Sequence, residues 1–208
     1  MSDLGDIQHV IRDRVRESIA VKSLLLADEY VEPLARLADR VARSVRSGGK
    51  VILFGNGGSA ADAMHLAAEF VGRFAFDRGP MPALSLSDNV SAVTAIANDY
   101  DYALTFARQV EALGARGDVA IGLSTSGGSP NVLEGIRAAG AKGVFTAGFT
   151  GARGARLGDI ADVCVMVPST VTARIQEGYM LLTHILCELV EEELFGAERR
   201  GAQLLPAA

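Results

Sequence analysis

An imidazole and a carboxylate stand four residues apart near the first third of the sequence. His65 and Glu69 follow a glycine-rich turn, and on a helix this spacing places both side chains on one face. Such a pair can bind a metal ion or transfer protons, and it can equally form a surface ion pair. The sequence alone leaves these interpretations open.

A second imidazole, His184, lies in a broadly apolar helical stretch near the end of the chain, where it requires a polar partner. Gln176 and Glu177 precede it in that stretch. Seven residues make nearly two helical turns, so Glu177 aligns with His184, whereas Gln176 is about 80° away around the helix. Helix geometry therefore favours Glu177 as the residue that shares a face with His184.

Two loops are rich in groups that bind anions. Residues 55–62 read Gly-Asn-Gly-Gly-Ser-Ala-Ala-Asp, and Ser59 can cap a helix that follows. Residues 124–131 read Ser-Thr-Ser-Gly-Gly-Ser-Pro-Asn, which predicts Ser129 as the N-cap and Pro130 as the first residue of a helix. Hydroxyls and free amides at a helix N-terminus favour a phosphate without help from lysine or arginine.

Both loops also have simpler interpretations. Serine- and glycine-rich turns occur wherever an α/β chain reverses, and the first loop satisfies the loose G-x-G-x-x-A pattern of dinucleotide binding. No acidic residue closes the second predicted strand to hold a ribose, since Ser87 precedes Asp88. A phosphate-binding P-loop is excluded, because Gly-Lys-Ser/Thr does not occur.

Five short apolar runs predict the strands that position these loops. Helical stretches of about ten or more residues separate most of them, which indicates βαβ crossovers and a parallel sheet with helices on both faces. The runs are residues 51–54, 83–86, 119–123, 144–149 and 163–167. Apolar spacings of three and four predict helices over 7–46, with Pro33 at the first turn of a second helix or at a kink, and a last helix over 171–195.

Composition limits the classes of function. The 208 residues carry a net charge of −5, which gives no general attraction for nucleic acid or an anionic membrane. No apolar run reaches the ~18 residues of a membrane span, and the start of the chain lacks the basic residues of a signal peptide. Cys164 and Cys187 lie in apolar stretches without metal-type spacing, as in a reduced interior. We therefore expect a cytoplasmic protein.

Taken together, the motifs resemble those of the phosphoheptose isomerases of the sugar isomerase (SIS) domain family. The resemblance spans nearly the whole chain and is carried by residues 54–69, 98–99, 124–129 and 174–184. It implies a single α/β SIS domain, a flavodoxin-like three-layer sandwich with N-terminal helices over 1–47, the core and last helix over 48–196, and a tail over 197–208. It also implies isomerisation of sedoheptulose 7-phosphate to D-glycero-D-manno-heptose 7-phosphate by a homotetramer with active sites at subunit contacts.

The resemblance also implies roles for individual residues. Glu69 would move a proton between C1 and C2 through an enediol, while His184 moves the hydroxyl protons. Many members hold a zinc ion, whose ligands here would be His65, Glu69, Gln176 and His184, so that Gln176 takes the place that helix geometry gives to Glu177. The substrate would be bound by Asn56, Gly57, Gly58, Glu69, Asn98, Asp99, Ser124, Thr125, Ser126, Ser129 and Gln176.

Three residues depart from the family pattern, and one alternative function shares most of it. Met64, Gly128 and Ala173 stand where Gln, Asn and, in some members, Asp occur, and they bear on contacts to the sugar chain. The alternative is a non-catalytic tetrameric adaptor of the type that associates with the replication initiator. That branch tends to lack the residue corresponding to His184, so its presence favours the isomerase. A sugar-phosphate-sensing regulator would need a DNA-binding domain, and none is evident.

Overall fold

The computed structural model describes residues 4–203, with side chains as far as residue 200. The helices are α1 (Leu4–Leu24), α2 (Asp28–Arg46), α3 (Gly58–Val71), α4 (Val90–Asp99), α5 (Thr105–Leu113), α6 (Pro130–Ala141), α7 (Ala155–Gly158) and α8 (Thr172–Gln203), and a short 3-10 helix (Tyr102–Leu104) precedes α5. The strands are β1 (Val51–Gly55), β2 (Ala83–Ser85), β3 (Val119–Leu123), β4 (Phe145–Gly151) and β5 (Val163–Val167).

The five strands form one parallel sheet in the order β2-β1-β3-β4-β5. Every residue of β1 and β3 is buried, because helices cover both faces of the sheet, and this explains why these strands are continuously apolar in sequence. The predicted fold class is confirmed, as are the five strands, whose bounds differ from the predicted ones by two residues at most.

Two cores lie on opposite faces of the sheet. Helices α2, α3 and α8 pack on one face, and α5 and α6 pack on the other. The first core includes Leu37, Leu66, Phe70, Tyr179 and Leu186, and the second includes Phe106, Val110, Val132 and Ile136. Because all strands are parallel, the loops after β1, β3, β4 and β5 leave the same edge of the sheet, which is where open α/β proteins bind ligands.

The terminal helices differ from the sequence prediction in three respects. The segment over 7–46 forms two helices as predicted, but Pro33 lies inside α2, five residues after its first residue, rather than in the first turn. Helix α8 continues to Gln203, eight residues beyond the predicted end, because exposed polar residues extend it where no apolar period signals a helix. The predicted tail over 197–208 is thus helical as far as residue 203, and the remainder lies outside the described residues.

The N-terminal helix makes little contact with the core. No residue of α1 is buried, and α1 contacts α8, where the Ser18 hydroxyl donates to Glu177 Oε2 at 2.6 Å. Within residues 4–203, no helix is long and apolar enough to cross a membrane.

Candidate active site

A cluster of two imidazoles and a carboxylate lies where α3 and α8 run side by side. The Nε2 atoms of His65 and His184 are 3.0 Å apart, so that one ring can donate a hydrogen bond to the other. Glu69 Oε1 lies 3.3 Å from the same His65 nitrogen. The structure therefore brings Glu69 and His184 together at His65 Nε2, although they are far apart in sequence. We call these three residues the imidazole cluster.

Gln176 and Glu177 occupy different faces of α8. The Gln176 amide packs on Gly58 at the start of α3, where an added Cβ would lie 2.2 Å from Gln176 Nε2. Glu177 instead accepts the hydrogen bond from Ser18 and pairs with Arg174 at 2.8 Å, so it faces α1. The helix-geometry prediction that Glu177 shares the site with His184 is wrong, because packing against both α1 and α3 decides which face of α8 meets the site.

The predicted metal ligands are only partly assembled. His65, Glu69 and His184 are neighbours, whereas Gln176 makes no hydrogen bond to any of them in the described part of the chain. Among the residues whose side chains are described, no group of three or more His, Cys, Asp or Glu is spaced as a preformed metal site.

The serine loop, residues 124–129, follows β3 and is held by its own hydroxyls. Ser124 Oγ lies 2.9 Å from Ser129 Oγ, and the Gly128 amide donates to Ser126 Oγ at 3.2 Å. Ser129 occupies the N-cap position of α6, and Pro130 begins that helix, as predicted. The Ser129 hydroxyl does not cap the helix but turns towards Ser124, so it faces into the loop.

Gly127 fixes the shape of the serine loop. Its φ of 63° lies in the left-handed region, and a Cβ at this position would lie 2.3 Å from the Cα of Gly154. Only glycine permits this close approach of two backbones. The serine loop and the loop after β4 therefore pack backbone to backbone and form one wall.

A cavity of about 270 Å³ opens beside this wall and contains basic groups that the sequence reasoning missed. It is lined by Thr125, Ser126, Arg153, Ser169, Thr170, Thr172 and Ile175. Arg156 reaches the loop as well, with Nη1 3.8 Å from the Cβ position of Gly128. The sequence analysis invoked no basic residue at this loop, and the structure adds these two arginines beside it. Both arginines follow β4, which lies beside β3, so the loops after these two strands are neighbours. The arginines could therefore have been predicted only from the order of the strands.

The first glycine loop orients an asparagine rather than forming a helix cap with Ser59. Ser59 is buried inside α3, and Gly57 is the N-cap residue. Asn56 exchanges two hydrogen bonds of 2.8 Å with the buried side chain of Asn131. The Tyr102 hydroxyl also donates to Asn56 Oδ1 at 2.9 Å. These bonds occupy Asn56 Oδ1 and one of its amide hydrogens, leaving the other hydrogen available to a ligand.

The cavity beside the serine loop and the imidazole cluster lie at different positions along α8. Thr172 and Ile175 of α8 line the cavity beside the serine loop, while His184 lies further along the same helix. On α3, Gly58 and His65 are seven residues apart, or about 10 Å along the axis. The glycine loop and the imidazole cluster thus lie about two helical turns apart along α3.

Comparison with known proteins places this arrangement in a family. A model of the SIS domain matches residues 17–151. A phosphoheptose isomerase of Burkholderia pseudomallei is 50% identical over 189 residues, which cover 90% of this chain and 96% of that protein. Phosphoheptose isomerase 2 of Campylobacter jejuni is 46% identical over 194 residues, covering 93% and 96%. The solved structure of phosphoheptose isomerase from Neisseria gonorrhoeae matches with a TM-score of 0.84 and 38% identity, over 89% of this chain and 99% of that one.

The chain belongs to the phosphoheptose isomerase family of SIS-domain proteins. It is therefore an enzyme, a sugar-phosphate isomerase.

Two further residues predicted for this sugar-phosphate isomerase, Asn98 and Asp99, lie at the exposed end of α4. The Asn98 amide donates to Asp99 Oδ1 at 2.8 Å. The following 3-10 helix contains Tyr102, whose hydroxyl contacts Asn56, so the end of α4 lies near the glycine loop. Their roles towards the sugar remain predictions.

Burial changes the acidity of one carboxyl beside the imidazole cluster of the isomerase. Desolvation raises the pKa of Asp62, and the nearby imidazole of His65 partly opposes this rise. Asp62 Oδ2 is buried and has no hydrogen-bond partner among the described residues. The neutral form of Asp62 is therefore more favoured than in an exposed aspartate.

Proposed function

We propose that this enzyme converts sedoheptulose 7-phosphate to D-glycero-D-manno-heptose 7-phosphate. The observation that carries the proposal is the meeting of Glu69 and His184 at His65 Nε2. An aldose–ketose isomerisation needs one group to move a proton between two carbons and another to serve the two oxygens. The names of the relatives at about half identity support a phosphorylated heptose as the substrate.

The proposed reaction balances two proton transfers at each step. Glu69 removes a proton from C1 of the ketose while His184 donates one to the oxygen on C2, which gives a cis-enediol. Glu69 then returns its proton to C2, and His184 recovers the proton of the C1 hydroxyl, so that the aldehyde forms at C1. The two groups end the cycle in their starting states, as a catalyst requires.

Binding of the phosphate is assigned to the serine loop. Hydroxyls of Ser124, Thr125, Ser126 and Ser129, together with backbone amides at the start of α6, supply donors for its oxygens. Arg153 and Arg156 add positive charge to an otherwise acidic protein. The sugar chain would extend along α3, within reach of the remaining amide hydrogen of Asn56.

Zinc is proposed as a cofactor, and the residues present fit it in donor type. Two imidazoles and a carboxylate form a common ligand set for zinc. His184 Nε2 and Glu69 Oε1 lie 3.0 and 3.3 Å from His65 Nε2, so small side-chain movements would be needed to hold an ion. His65, Glu69 and His184 would hold the ion, and Gln176 would have to leave Gly58 to become the fourth ligand.

When bound, zinc would polarise oxygens of the substrate. Coordination also makes a carboxylate or an imidazole a poor free base, so the ligand and proton-transfer roles of Glu69 and His184 compete. Metal analysis of the purified protein and of His65→Gln tests the site. Zinc in the wild type and none in the variant supports it, whereas protein produced with zinc and still lacking the metal contradicts it.

A homotetramer is proposed from the apolar faces of the terminal helices. Six large apolar side chains of α1 are about half exposed or more, and leaving them in water would be costly. They are Leu4, Ile7, Val10, Ile11, Val15 and Ile19. Leu181 and Leu189 of α8 are exposed as well. Sedimentation velocity should show four chains. An Ile11→Asp variant should dissociate, whereas a monomeric wild type would contradict the proposal.

The substrate is tested by incubating the purified protein with sedoheptulose 7-phosphate and following the products by NMR. An aldose heptose phosphate is expected. No product from folded protein would favour the non-catalytic adaptor instead. The cytoplasmic location stays a prediction.

A further inference from the structure

A buried ion pair lies behind the imidazole cluster. Arg78 Nε donates to Glu191 Oε1 at 2.9 Å, and the two side chains are only 1% and 0% exposed. Glu191 also accepts from the backbone amides of Phe74 and Ala75 at 3.0 and 2.7 Å. Both carboxylate oxygens are thus occupied. We call Arg78 and Glu191 the clamp.

The guanidinium of Arg78 holds the end of the helix that carries Glu69. The last four carbonyls of a helix lack intrahelical partners, and a cation is favoured there. Arg78 Nη2 donates to the Glu69 carbonyl at 2.8 Å. Its Nη1 donates to the carbonyls of Phe70, Gly72 and Gly79 at 2.8, 3.1 and 2.9 Å. The clamp therefore fixes the backbone of Glu69 itself.

Glu191, the other residue of the clamp, is linked to His184 of the imidazole cluster through Phe74. The backbone amide of Phe74 is held by Glu191, and the Phe74 ring packs on the His184 ring with 5.3 Å between centroids and an angle of 38°. His184 and Glu191 are seven residues apart on α8, nearly two turns, and so lie on one face. Phe74 is thereby fixed against one side of His184.

We propose that Arg78 and Glu191 are positioning residues for the isomerisation, a role that rests on the function proposed for Glu69 and His184. A buried ion pair seldom stabilises a fold more than well-packed apolar residues of similar volume would. A fork of hydrogen bonds, however, fixes backbone positions that apolar contacts leave loose. Through this fork the clamp fixes the backbone position of Glu69, and through Phe74 it fixes the orientation of the His184 ring. Both side chains then face the same atoms of the substrate.

Kinetics of two variants test the inference. Arg78→Lys keeps the charge but lacks the fork, and Phe74→Leu keeps an apolar side chain but lacks the ring. Each should lower kcat by roughly 10- to 100-fold, since a misplacement of 1 Å costs up to about 100-fold. KM should stay within about twofold, because the phosphate is assigned to the serine loop, which neither substitution touches. Arg43→Lys, at an exposed ion pair with Asp39, is the matched control and should change neither constant.

A second measurement does not depend on activity. In protein labelled with ¹³C-histidine and kept at one pH, the His184 signal is assigned by its loss in His184→Gln. The Phe74→Leu variant gives the reference chemical shift of His184 in the absence of the neighbouring aromatic ring. Arg78→Lys should move the signal towards this position, whereas Arg43→Lys should leave it in place.

The outcomes separate this inference from the proposed function. An unchanged His184 signal in folded Arg78→Lys overturns the inference, as does an unchanged kcat in both Arg78→Lys and Phe74→Leu. If the wild type does not isomerise the sugar phosphate, the proposed function fails, and the NMR comparison still decides whether the clamp sets His184.

Discussion

Replacement of Asn131 tests how the glycine loop is joined to the first turn of α6. Asn131→Leu keeps the approximate shape of the side chain and removes four hydrogen bonds: two with Asn56, one to Thr105 Oγ1 and one from the Val132 amide. At about 1 kcal/mol each, the loss is about 4 kcal/mol. Burial of the leucine offsets about 2 kcal/mol. We therefore expect the free energy of unfolding to fall by about 2 kcal/mol.

The same change should affect catalysis, because Asn56 loses its orientation. Loss of one substrate hydrogen bond of about 1 kcal/mol lowers kcat/KM by roughly fivefold. Denaturant unfolding and steady-state kinetics measure the two effects. Tyr102→Phe, which removes only an exposed bond to Asn56, is the control and should cost less in both. Unchanged stability and unchanged kcat/KM in Asn131→Leu would refute the reasoning.

Two further predictions concern the serine loop and the cysteines. In Gly127→Ala the alanine must adopt a left-handed backbone conformation, at a cost of about 1–2 kcal/mol, and its Cβ lies against Gly154. The serine loop must therefore shift, and KM for the sugar phosphate should rise by tenfold or more in kinetic assays. The neighbouring Gly128→Ala has 3.7 Å to its nearest atom and should leave KM within about twofold; equal KM values in the two variants would contradict this account. Burial raises the pKa of Cys187 to about 12 and that of Cys164 to about 11, so little thiolate forms at pH 8, and mass spectrometry should find iodoacetamide on neither thiol until the protein is unfolded. Rapid alkylation of the native protein at pH 8 would show that these thiols are not protected.

The sequence was sufficient for the sheet and for the loops that face its open edge. The five apolar runs and their helical separations predict the parallel sheet, because each crossover leaves few other topologies. The place of Pro130 after Ser129 predicts the start of α6 from local chemistry alone. Features that depend on neighbours within a few residues were thus predictable.

Features that depend on packing between distant elements were not. The helix period predicts Glu177 beside His184, but Glu177 faces α1, where it accepts a hydrogen bond from Ser18 and pairs with Arg174. The arginines near the serine loop follow a different strand, and only the order of strands brings them there. The clamp could not be predicted from the sequence for the same reason, since its two residues are 113 positions apart.

Turnover by Glu69→Gln tests the central claim most directly. Glutamine keeps the size of the side chain but cannot accept the proton from C1, so ¹³C NMR should show no aldose from sedoheptulose 7-phosphate under conditions in which the wild type converts it. Calorimetry should still detect binding of the sugar phosphate, because the serine loop is unchanged. Formation of the aldose by Glu69→Gln at the wild-type rate would contradict the account.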